Sequence, residues 1–532
     1  MWVWNCTLSL LHYYREDWIE PSDRSLHADL CVYGATSAGI ISAYRAAKEG
    51  LSVVVLNPGH HVGGMTSGGL GLTDFGNQQA ITGLSRRFYE LLGEQYGREI
   101  EWRFEPHVAS AVYDALIAEA DLAVYPFQYL DHVEFDGSRI VAVVMLGGLR
   151  VEARQFIDAG YEGDLLAKAK VSHHIGREPN SRYGESLNGI QVRDKHQFGP
   201  DLCDPYRIAG DPASGLLPYV EPADLRKHVG EGDRRLQAYN FRLCMTNDPA
   251  LKIPWERPEG FDPMDYELAA RWFQGEKSRP HWLEHRPLQP AKFDALSEPT
   301  PGGFLKTDTN NEGAVSSDFI GGNWRFPEAS YAEREAIFQQ HVAWQRGLYW
   351  FVANDPRIPD RYRDAYAHWG LASDEFKRTD HWPPQLYIRE SRRMIGDYVV
   401  TEADCMRPDG FTPPEDVVGM GSYTLDSHNC TRFVAEVDGR ATVLNEGDVQ
   451  VPPTDPYPIS YRAIVPPRGE CQNLIVPVCI SASHIAYGSA RMEPVFMMLG
   501  ESAACAASLA IRRGTSVQDV PAAPLRQSIG HF

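Results

Sequence analysis

Two histidines stand in polar segments of the chain and could accept a proton during a reaction. His428 lies in the sequence LDSHN, where Asp426 or Asn429 could orient its ring, and His484 lies in the polar segment Ser481–Gly488. Histidine is the most common general base near neutral pH. The alternative for both rings is a hydrogen bond with the backbone and no part in chemistry.

Three arginines and a tyrosine complete the set of candidate catalytic side chains. Arg389, Arg392 and Arg393 lie in YIRESRRMIGDY, and on a helix Arg389 and Arg393 would share one face. We assign Arg389 to the site, where it could bind an acidic or hydroxylated substrate, and expect ion pairs with nearby carboxylates for the other two. Tyr487 is included because it follows His484 in the same segment.

A βαβ unit near the start of the chain is the element that must position this chemistry. Asp29–Tyr33 and Ser52–Leu56 are short apolar strands, the turn Gly34–Gly39 consists of small residues, and Ile40–Glu49 has the composition of a helix. Glycine at both ends of such a turn allows a sharp bend and close packing, and free N–H groups at the helix start bind a pyrophosphate. An ordinary βαβ crossover is the alternative, because Thr36 replaces the usual middle glycine.

The stretch after the second strand favours FAD over NAD as the cofactor. A nicotinamide-binding unit normally has an acidic residue at this point, whereas this chain continues as NPGHHVGGMTSGGLG. Its many glycines would be costly in conformational entropy unless the backbone passed close to something flat or phosphorylated. In flavoproteins such a loop runs beneath FAD toward the isoalloxazine ring. His61 is expected to form hydrogen bonds within this loop, and covalent attachment of FAD to His61 is the alternative.

Two later segments are expected to return to the cofactor. Gln155–Gly160 is predicted to be a parallel strand that ends beside it, and Asn473–Ile480 followed by the helix Pro494–Arg512 would close the same domain. The N-terminus of that helix could stabilise the anionic end of the flavin. The residues expected to bind FAD are Gly34, Ala35, Thr36, Ser37, Ala38, Gly39, Asn57, Pro58, His61, Gly63, Gly64, Met65, Thr66, Gly68, Gly69, Asp158, Ala159, Gly160, Ser483, Arg491 and Met492.

Composition excludes several classes of partner. The chain has 532 residues and a formal net charge of −20, whereas nucleic acids and anionic membrane surfaces are bound by basic patches. Its nine cysteines form no C-x-x-C pair, which argues against a disulfide framework or a redox dithiol and favours a cytoplasmic location. The apolar N-terminal stretch is too short to span a bilayer. No metal site is expected, because histidines that are adjacent in sequence point apart on a helix or strand.

These segments predict an α/β protein with a Rossmann-like FAD-binding domain, interrupted by an inserted α+β substrate or cap domain. We expect residues 1–28 to be an N-terminal extension and residues 29–175 to be the first part of the FAD-binding domain. The inserted domain would span residues 176–464, where strong periodicity is scarce and connections are long. Residues 465–515 would complete the FAD-binding domain, and residues 516–532 would form a C-terminal tail.

Several longer motifs, spread from about Asp29 to about Ile511, carry a resemblance to a known family. They include GATSAGIISA, HVGGMTSGGLG, FIDAGYEGDLLA, IRESRRMIGDYV, GMGSYTLDSHN and NLIVPVCISASHIAYGSARMEPVFMMLG. Through them the chain resembles the FAD dependent oxidoreductase family, sometimes described as xanthan-lyase-like. The resemblance implies a two-domain flavoprotein of the glutathione-reductase-like clan. Members commonly carry Glu at the end of the second strand to hold the adenosine ribose; here Asn57 offers one amide oxygen instead.

Three functions fit these observations. The first is an FAD-dependent oxidase or dehydrogenase that oxidises a small polar substrate at a C–OH or C–N carbon by hydride transfer to flavin, for example a sugar, a glycoside or a natural product. A single βαβ fingerprint without a cysteine pair argues against a pyridine-nucleotide-disulfide reductase, so oxygen or an external acceptor would receive the electrons. The alternatives are a flavin-dependent monooxygenase and a non-redox protein that keeps FAD for structure. The sequence leaves the oligomeric state open.

Overall fold

The elements below come from a computed structural model, which describes residues 9–198, 203–275, 291–296, 299–300 and 302–530. The first eight residues of the predicted N-terminal extension and the last two of the predicted C-terminal tail therefore lie outside the described residues.

The described chain contains strands and helices in a mixed order. The strands are β1 (Ser25–Tyr33), β2 (Val53–Leu56), β3 (Ala123–Tyr125), β4 (Leu130–Asp136), β5 (Arg139–Met145), β6 (Arg150–Asp158), β7 (His173–Ile175), β8 (Tyr206–Ile208), β9 (Asp211–Leu216), β10 (Val220–Glu221), β11 (Leu243–Thr246), β12 (Lys252–Ile253), β13 (Ala291–Ala295), β14 (Lys306–Asn311), β15 (Gly370–Ala372), β16 (Arg392–Met394), β17 (Val417–Gly421), β18 (Leu425–Ser427), β19 (Thr431–Val437), β20 (Arg440–Glu446), β21 (Val449–Val451), β22 (Tyr457–Ser460) and β23 (Leu474–Ile475). The helices are α1 (Ser37–Lys48), α2 (Gly64–Ser67), α3 (Gly83–Gln95), α4 (Pro106–Glu119), α5 (Asp164–Lys168), α6 (Glu267–Gly275), α7 (Tyr331–Asn354), α8 (Asp360–His368), α9 (Glu402–Met406), α10 (His484–Ala490), α11 (Glu493–Arg513) and α12 (Ala522–Ile529).

A mixed sheet built around β1 positions the predicted cofactor turn. Its strand order is β3-β2-β1-β6-β5-β4, and β23 pairs with β6 as well. The pairs β1–β2, β2–β3, β1–β6 and β6–β23 are parallel, whereas β4 and β5 join as antiparallel strands. The fold is therefore α/β with a Rossmann-like sheet, as predicted. Ligands of such sheets bind outside the carboxyl ends of the parallel strands.

Helix α1 crosses from β1 to β2 and is locked in place by a helix from the far end of the chain. Ser42 Oγ on α1 lies 2.9 Å from the carbonyl oxygen of Gly500 on α11. A Cβ atom on Gly500 would lie 2.5 Å from the carbonyl oxygen of Ala38, so only glycine permits this approach. The strand β23 and helix α11 thus join the N-terminal sheet directly.

Helix α11 is apolar enough and long enough to cross a membrane by composition alone. In the structure, 94% of its most apolar window is buried inside the protein. Its apolar side chains are therefore used for packing against the sheet and its neighbouring helices.

The middle of the chain forms smaller sheets and one long helix. The largest of these sheets has the strand order β12-β15-β11-β14-β13, and another joins β10, β19 and β20. Helix α7 begins at a capping box in which Ser330 and Glu333 satisfy each other's backbone N–H groups. The division of the chain into domains stays a prediction.

The structure differs from the sequence expectations at three places. Strand β1 begins at Ser25, so residues 25–28 of the predicted extension belong to the sheet. The segment with Arg389 and Arg393 is not a helix, because Arg392–Met394 pairs with β7 as a strand. The predicted strand Asn473–Ile480 is reduced to two residues of β23.

Candidate functional site

The carboxyl ends of β1, β2 and β6 surround a narrow cavity of about 70 Å³. Six of the residues predicted to bind the cofactor line this cavity together: Gly34, Thr36, Asn57, Pro58, His61 and Gly160. They come from three separate parts of the chain, so the sheet brings the predicted turn, loop and strand end to one place. We call this space the dinucleotide cavity.

Thr36 explains how the turn works without its middle glycine. Its hydroxyl donates to the carbonyl oxygen of Ala159 at 2.7 Å and accepts from the N–H of Gly39 at 3.2 Å. Thr36 is thus the N-cap of α1 and also ties the turn to the end of β6. A Cβ atom on Gly39 would lie 1.9 Å from the carbonyl oxygen of Gly34, so the close packing predicted for Gly39 is present.

Asn57 uses all its polar atoms to hold two loops together. Its Oδ1 accepts from the N–H of Ala35 at 3.0 Å, and its Nδ2 donates to the carbonyl oxygens of Gly59 at 2.9 Å and His61 at 2.8 Å. An amide at this position can therefore bridge the turn and the loop, which a carboxylate could not do at two carbonyl oxygens. Its predicted contact with a ribose hydroxyl stays a prediction.

Replacing Asn57 with Ala should weaken FAD binding. The N–H of Ala35 would lose its partner, which costs about 1–3 kcal/mol when the group is buried, and the loop after β2 would lose its anchor. We expect the dissociation constant for FAD, measured by flavin fluorescence with apoprotein, to rise on the order of tenfold. Asn354→Ala, on an exposed side chain at the end of α7, is the matched control. Equal FAD affinity in the two variants would contradict this role of Asn57.

The glycine-rich loop packs against protein atoms over part of its length. A Cβ atom on Gly64 would lie 2.2 Å from Tyr161 Oη. That hydroxyl accepts from the N–H of Met65 at 2.9 Å and donates to Glu493 Oε1 at 2.7 Å. Thr66 Oγ1 donates to Glu493 Oε2 at 2.7 Å. Tyr161 therefore requires glycine at position 64, and the predicted contact of Gly64 with FAD stays a prediction.

The other glycines of this loop have protein neighbours as well. A Cβ atom on Gly63 would lie 2.4 Å from Ser67 Oγ, and one on Gly68 would lie 2.5 Å from Gln385 Cβ. A Cβ atom on Gly69 would lie 2.3 Å from the carbonyl oxygen of Arg242. Close approach within the protein thus accounts for three further predicted cofactor residues.

His61 is held inside the loop. Its Nε2 lies 3.1 Å from the carbonyl oxygen of Gly64 and 3.0 Å from Ser67 Oγ. Burial, together with the neighbouring His60, lowers the pKa of His61 to about 3, so the ring is neutral near pH 7. These contacts agree with the hydrogen-bonding role predicted for His61.

Asp158 caps the segment that follows β6. Its Oδ1 accepts from the N–H of Gly160 at 3.1 Å, and its Oδ2 accepts from the N–H of Leu166 at 2.7 Å. Burial raises the pKa of this carboxyl to about 7. Ala159, between Asp158 and Gly160 in the chain, supplies the carbonyl oxygen that accepts from the Thr36 hydroxyl.

The remaining predicted cofactor residues fall into two places. Ala35 accepts from the N–H of Gly63 at 2.7 Å, and Ser37 and Ala38 are buried in the first turn of α1. Ser483 and Met492 are the N-caps of α10 and α11. Arg491 lies between them in a second cluster, which also contains the candidate catalytic residues.

His428 lies between two carboxylates at the centre of this second cluster. Its Nδ1 is 2.7 Å from Asp318 Oδ2 and its Nε2 is 3.2 Å from Asp426 Oδ2. Burial raises the pKa of each carboxyl. At Asp318 this effect is outweighed by Arg389 and His428, which lower the pKa. At Asp426 it is outweighed by His428 and Arg491, which lower the pKa. The pKa of both carboxyls is thus below its usual value, and both are ionised near pH 7.

Two buried arginines flank these carboxylates. Arg389 Nη1 is 3.0 Å from Asp318 Oδ1, and Arg491 Nη2 is 3.0 Å from Asp426 Oδ2. Arg491 Nη1 also donates to Tyr387 Oη at 2.9 Å, and the Arg389 guanidinium lies 4.3 Å from the centre of the Tyr387 ring. The predicted residue Arg389 and the predicted cofactor residue Arg491 therefore meet at one tyrosine.

His484 lies at the start of α10 and contacts Ser427, the residue before His428. Its Nδ1 is 2.7 Å from Glu390 Oε2 and its Nε2 is 3.0 Å from Ser427 Oγ. Burial raises the pKa of Glu390, but His484 and Arg393 outweigh it and lower the pKa overall. The side chain of His484 is 2% exposed, compared with 12% for His428. Tyr487, one turn further on, packs in the hydrophobic core.

Sequence reasoning missed four members of this cluster. They are Gln237, Asp318, Tyr387 and Glu390. Gln237 joins the two histidines, since its Nε2 donates to Glu390 Oε2 at 2.9 Å and its Oε1 accepts from the N–H of His428 at 3.3 Å. Only the position of Asp426 two residues before His428 gave a local signal.

A larger cavity of about 550 Å³ is connected to this cluster through contacts of the side chains in its wall. Asp74 and Tyr423 line it, with Phe75 and Trp102 as aromatic walls. Tyr423 Oη donates to Asp74 Oδ1 at 3.3 Å, and Arg242 Nη1 donates to Asp74 Oδ2 at 3.0 Å. The Arg242 guanidinium in turn lies 6.0 Å from the centre of the Tyr387 ring. We call this space the outer cavity.

The wall of the dinucleotide cavity includes Pro384, Gln385 and Leu386, which directly precede Tyr387 in the chain. Tyr387 itself contacts Arg389 and Arg491 of the cluster around His428. No group of three or more His, Cys, Asp or Glu side chains arranged to hold a metal ion occurs in the part of the chain that the structure describes.

The fold and the dinucleotide cavity define a flavoprotein oxidoreductase. The sequence profile of the family described as FAD dependent oxidoreductase matches residues 29–529, nearly the whole chain. The protein belongs to this family, it is an enzyme, and FAD is its cofactor.

Solved structures give only distant similarities. The chain is similar to a 3-ketosteroid-delta4-(5alpha)-dehydrogenase from Rhodococcus jostii RHA1, with 15% identity, 25% of this chain and 45% of that chain covered, and a TM-score of 0.20. It is also similar to L-proline dehydrogenase from P. horikoshii, with 13% identity, 29% of this chain and 59% of that chain covered, and a TM-score of 0.24. A third similar structure is L-amino acid deaminase from Proteus vulgaris, with 16% identity, 30% of this chain and 54% of that chain covered, and a TM-score of 0.24. The match thus spans about half the length of these relatives. No curated protein matched the chain.

The residues around the dinucleotide cavity fit the phosphate part of FAD. The N-terminus of the twelve-residue helix α1 opens at the cavity, where backbone N–H groups and the helix dipole favour an anion. The carboxyl ends of three parallel strands provide the usual position of a dinucleotide. Gly34 and Gly160 bring the backbone to the cavity wall without side chains.

Proposed function

We propose that the enzyme oxidises a small polar substrate at a C–OH or C–N carbon, and that this substrate binds between the outer cavity and Tyr387. The contacts that run from Asp74 in the outer cavity through Arg242 to Tyr387 and on to Arg389 are the observation that carries the proposal. The carboxylate of Asp74 and the aromatic walls of the outer cavity suit a hydroxylated molecule such as a sugar, glycoside or natural product.

His428 is the proposed proton acceptor. When bound, FAD would supply the acceptor for the hydride that leaves the substrate carbon. The proton that leaves the substrate oxygen or nitrogen passes to the pair formed by His428 Nε2 and Asp426 Oδ2, which lie 3.2 Å apart, while Asp318 faces Nδ1 and so fixes the ring. The two ionised carboxylates beside the ring stabilise the imidazolium that forms. Arg389 and Arg491 offset this negative charge and position Tyr387 at the substrate side.

Oxygen or an external acceptor would then take the electrons, and we propose a cytoplasmic location. Free and buried thiols occur at Cys31, Cys244, Cys405, Cys430, Cys471, Cys479 and Cys505, as a reducing compartment favours. The proposed reaction requires no particular oligomeric state.

Anaerobic titration tests the proposed function. The purified holoenzyme is mixed without oxygen with sugars, polyols, amines and amino acids, and the visible absorbance of the oxidised flavin is followed. We expect at least one alcohol or amine to bleach the flavin. If dithionite bleaches it and no substrate does, the proposal is wrong, and oxidation of NADPH with oxygen incorporation would favour the monooxygenase reading.

Asp74→Asn should affect substrate binding more than the chemical step. The carboxylate bridges Tyr423 and Arg242 at the inner end of the outer cavity, so its loss removes a charged acceptor for substrate hydroxyls. We expect KM to rise on the order of tenfold, with the rate constant of flavin reduction at saturating substrate changed less. Asp438→Asn, the same change in an exposed turn, should alter neither. A fall in the reduction rate constant with unchanged KM would contradict the assignment.

A further inference from the structure

A segment that precedes the family region forms one wall of the dinucleotide cavity. Residues Leu10–Trp18, which we call the N-terminal strap, lie before residue 29, where the match to the family begins. Their His12 and Tyr13 side chains line the cavity together with residues of the β1 and β2 ends. The cofactor site of this chain is therefore closed by residues outside its family's common region.

A single carboxylate on α7 anchors the strap. Glu335 Oε1 lies 2.6 Å from His12 Nδ1, and Glu335 Oε2 accepts from the N–H groups of Tyr13 at 2.7 Å and Tyr14 at 3.0 Å. One residue thus fixes three consecutive positions of the strap.

The strap also covers the side of the cavity where β2 and β3 end. The carbonyl oxygen of Leu10 lies 3.2 Å from His60 Nε2. The ring centre of Trp18 is 4.8 Å from that of Phe127 and 6.4 Å from that of His60. The end of the second strand is where dinucleotide folds hold the adenosine ribose. The strap therefore lies over the adenosine half of the FAD site.

The middle of the strap reaches the segment after β6. Tyr13 Oη donates to Glu162 Oε1 at 3.1 Å and accepts from Arg334 Nη1 at 3.1 Å. Burial raises the pKa of the Tyr13 hydroxyl well above its usual value, as expected for a side chain enclosed between two elements. The strap spans the cavity from one strand end to another.

The strap is the wall of the cavity that lies outside the sheet. The strand ends and α1 belong to the buried core and are held on several sides. The strap is anchored by Glu335 and by Gln339 and Tyr129, which donate to the carbonyl oxygens of Leu11 and Tyr13. None of its residues belongs to a strand, so it can move away from the cavity while the sheet and α1 stay intact.

We propose that the N-terminal strap is the gate of the FAD site: it opens to admit FAD and must open again for FAD to leave. The same opening step then limits both directions of exchange, because the forward and reverse reactions pass through the same transition state. A change that weakens the closed strap should raise the association and the dissociation rate constants together.

Glu335→Ala tests the gate in the full-length protein. FAD association with the apoprotein is followed by quenching of flavin fluorescence, and dissociation by its return after dilution. We expect both rate constants to rise on the order of tenfold, the factor that corresponds to about 1.4 kcal/mol. Glu335→Gln keeps one acceptor oxygen and should give an intermediate rise. Asp17→Asn lies in the strap with a side chain 58% exposed and should leave both rates unchanged.

Tyr13→Phe is a second, milder variant in case Glu335→Ala folds poorly, which its melting temperature will reveal. It removes only the contacts with Glu162 and Arg334 and should also accelerate exchange in both directions. The proposal is overturned if both variants exchange FAD at the wild-type rates. It is also overturned if dissociation alone becomes faster, because the strap would then hold bound FAD without limiting its admission.

Discussion

Replacing His428 with Asn should lower the rate constant of anaerobic flavin reduction by a factor on the order of 10²–10⁴, the usual contribution of a positioned general base. Asparagine can keep a hydrogen bond to Asp318 but cannot accept the substrate proton. The measurement is stopped-flow absorbance at saturating concentration of the substrate found by anaerobic titration. FAD content and melting temperature are measured alongside, because the change also removes the partner of Asp426 at Nε2.

Two further histidine variants serve as comparisons for His428→Asn. His132→Asn, on the exposed β4 strand, should reduce the flavin at the wild-type rate. His484→Asn should have a smaller effect than His428→Asn, because the His484 side chain is 2% exposed and both ring nitrogens face Glu390 or Ser427, so it acts by positioning. A wild-type reduction rate in His428→Asn, or a larger loss in His484→Asn, would move the proton acceptor to another residue.

Replacing Arg393 with Met should destabilise the fold by about 3–5 kcal/mol, the usual cost of leaving buried charges without their partner. The guanidinium is fully buried and lies 2.7 Å from both Glu178 Oε1 and Glu390 Oε1. It also donates to the carbonyl oxygen of Ala482 at 2.7 Å, just before the segment that carries His484. Unfolding in urea measures the loss, and Arg325→Met, on a side chain 84% exposed, is the control.

The loss in Arg393→Met should depend on pH in a defined direction. In the wild type, burial raises the pKa of Glu178, but Arg393 outweighs it and the pKa falls to about 2. The resulting stability is present above the unfolded-state pKa of about 4.3 and is lost as the pH falls toward 2. Without Arg393, burial raises the folded-state pKa, so the variant loses stability as the pH rises above about 4.3. The difference between the proteins should therefore be largest near neutral pH and narrow toward pH 4. A difference that grows on acidification would contradict this account.

The βαβ unit could be predicted because its signals are local. Strand, turn and helix follow one another within about thirty residues, as in dinucleotide-binding units, and Gly39 is required by an atom only five residues away. The same holds for α11, whose composition marks a long helix by itself. Where a pattern and its cause lie in the same short segment, the sequence is enough.

The partners of the two histidines could not be predicted, because they come from distant parts of the chain. Asp318 is 110 residues from His428, and Glu390 is 94 residues from His484. No spacing rule connects such pairs. The helix expected around Arg389 is wrong for a related reason: the ion pairs of Arg393 and the pairing of β16 with β7 override local helical preference.

The glycine-rich loop makes the close approaches that were predicted, and those in the structure are to protein atoms; its predicted contact with FAD stays a prediction. An inspection of the sequence alone cannot separate a glycine needed by a cofactor from one needed by another side chain. Gly64 is such a case, since Tyr161 lies 97 positions further along the chain and fills the space a Cβ would take. Bare α-carbons therefore mark crowding, and the structure must say what does the crowding.

The pairing of β6 with β23 and of α1 with α11 has a consequence for how the protein is made. At roughly 5–20 residues per second, about 25–100 s pass on the ribosome between synthesis of the first turn and of α11. During this interval the apolar face of α1 has no permanent cover. We therefore expect a nascent chain of this enzyme to need chaperones until α11 emerges, and cofactor loading to follow translation instead of accompanying it.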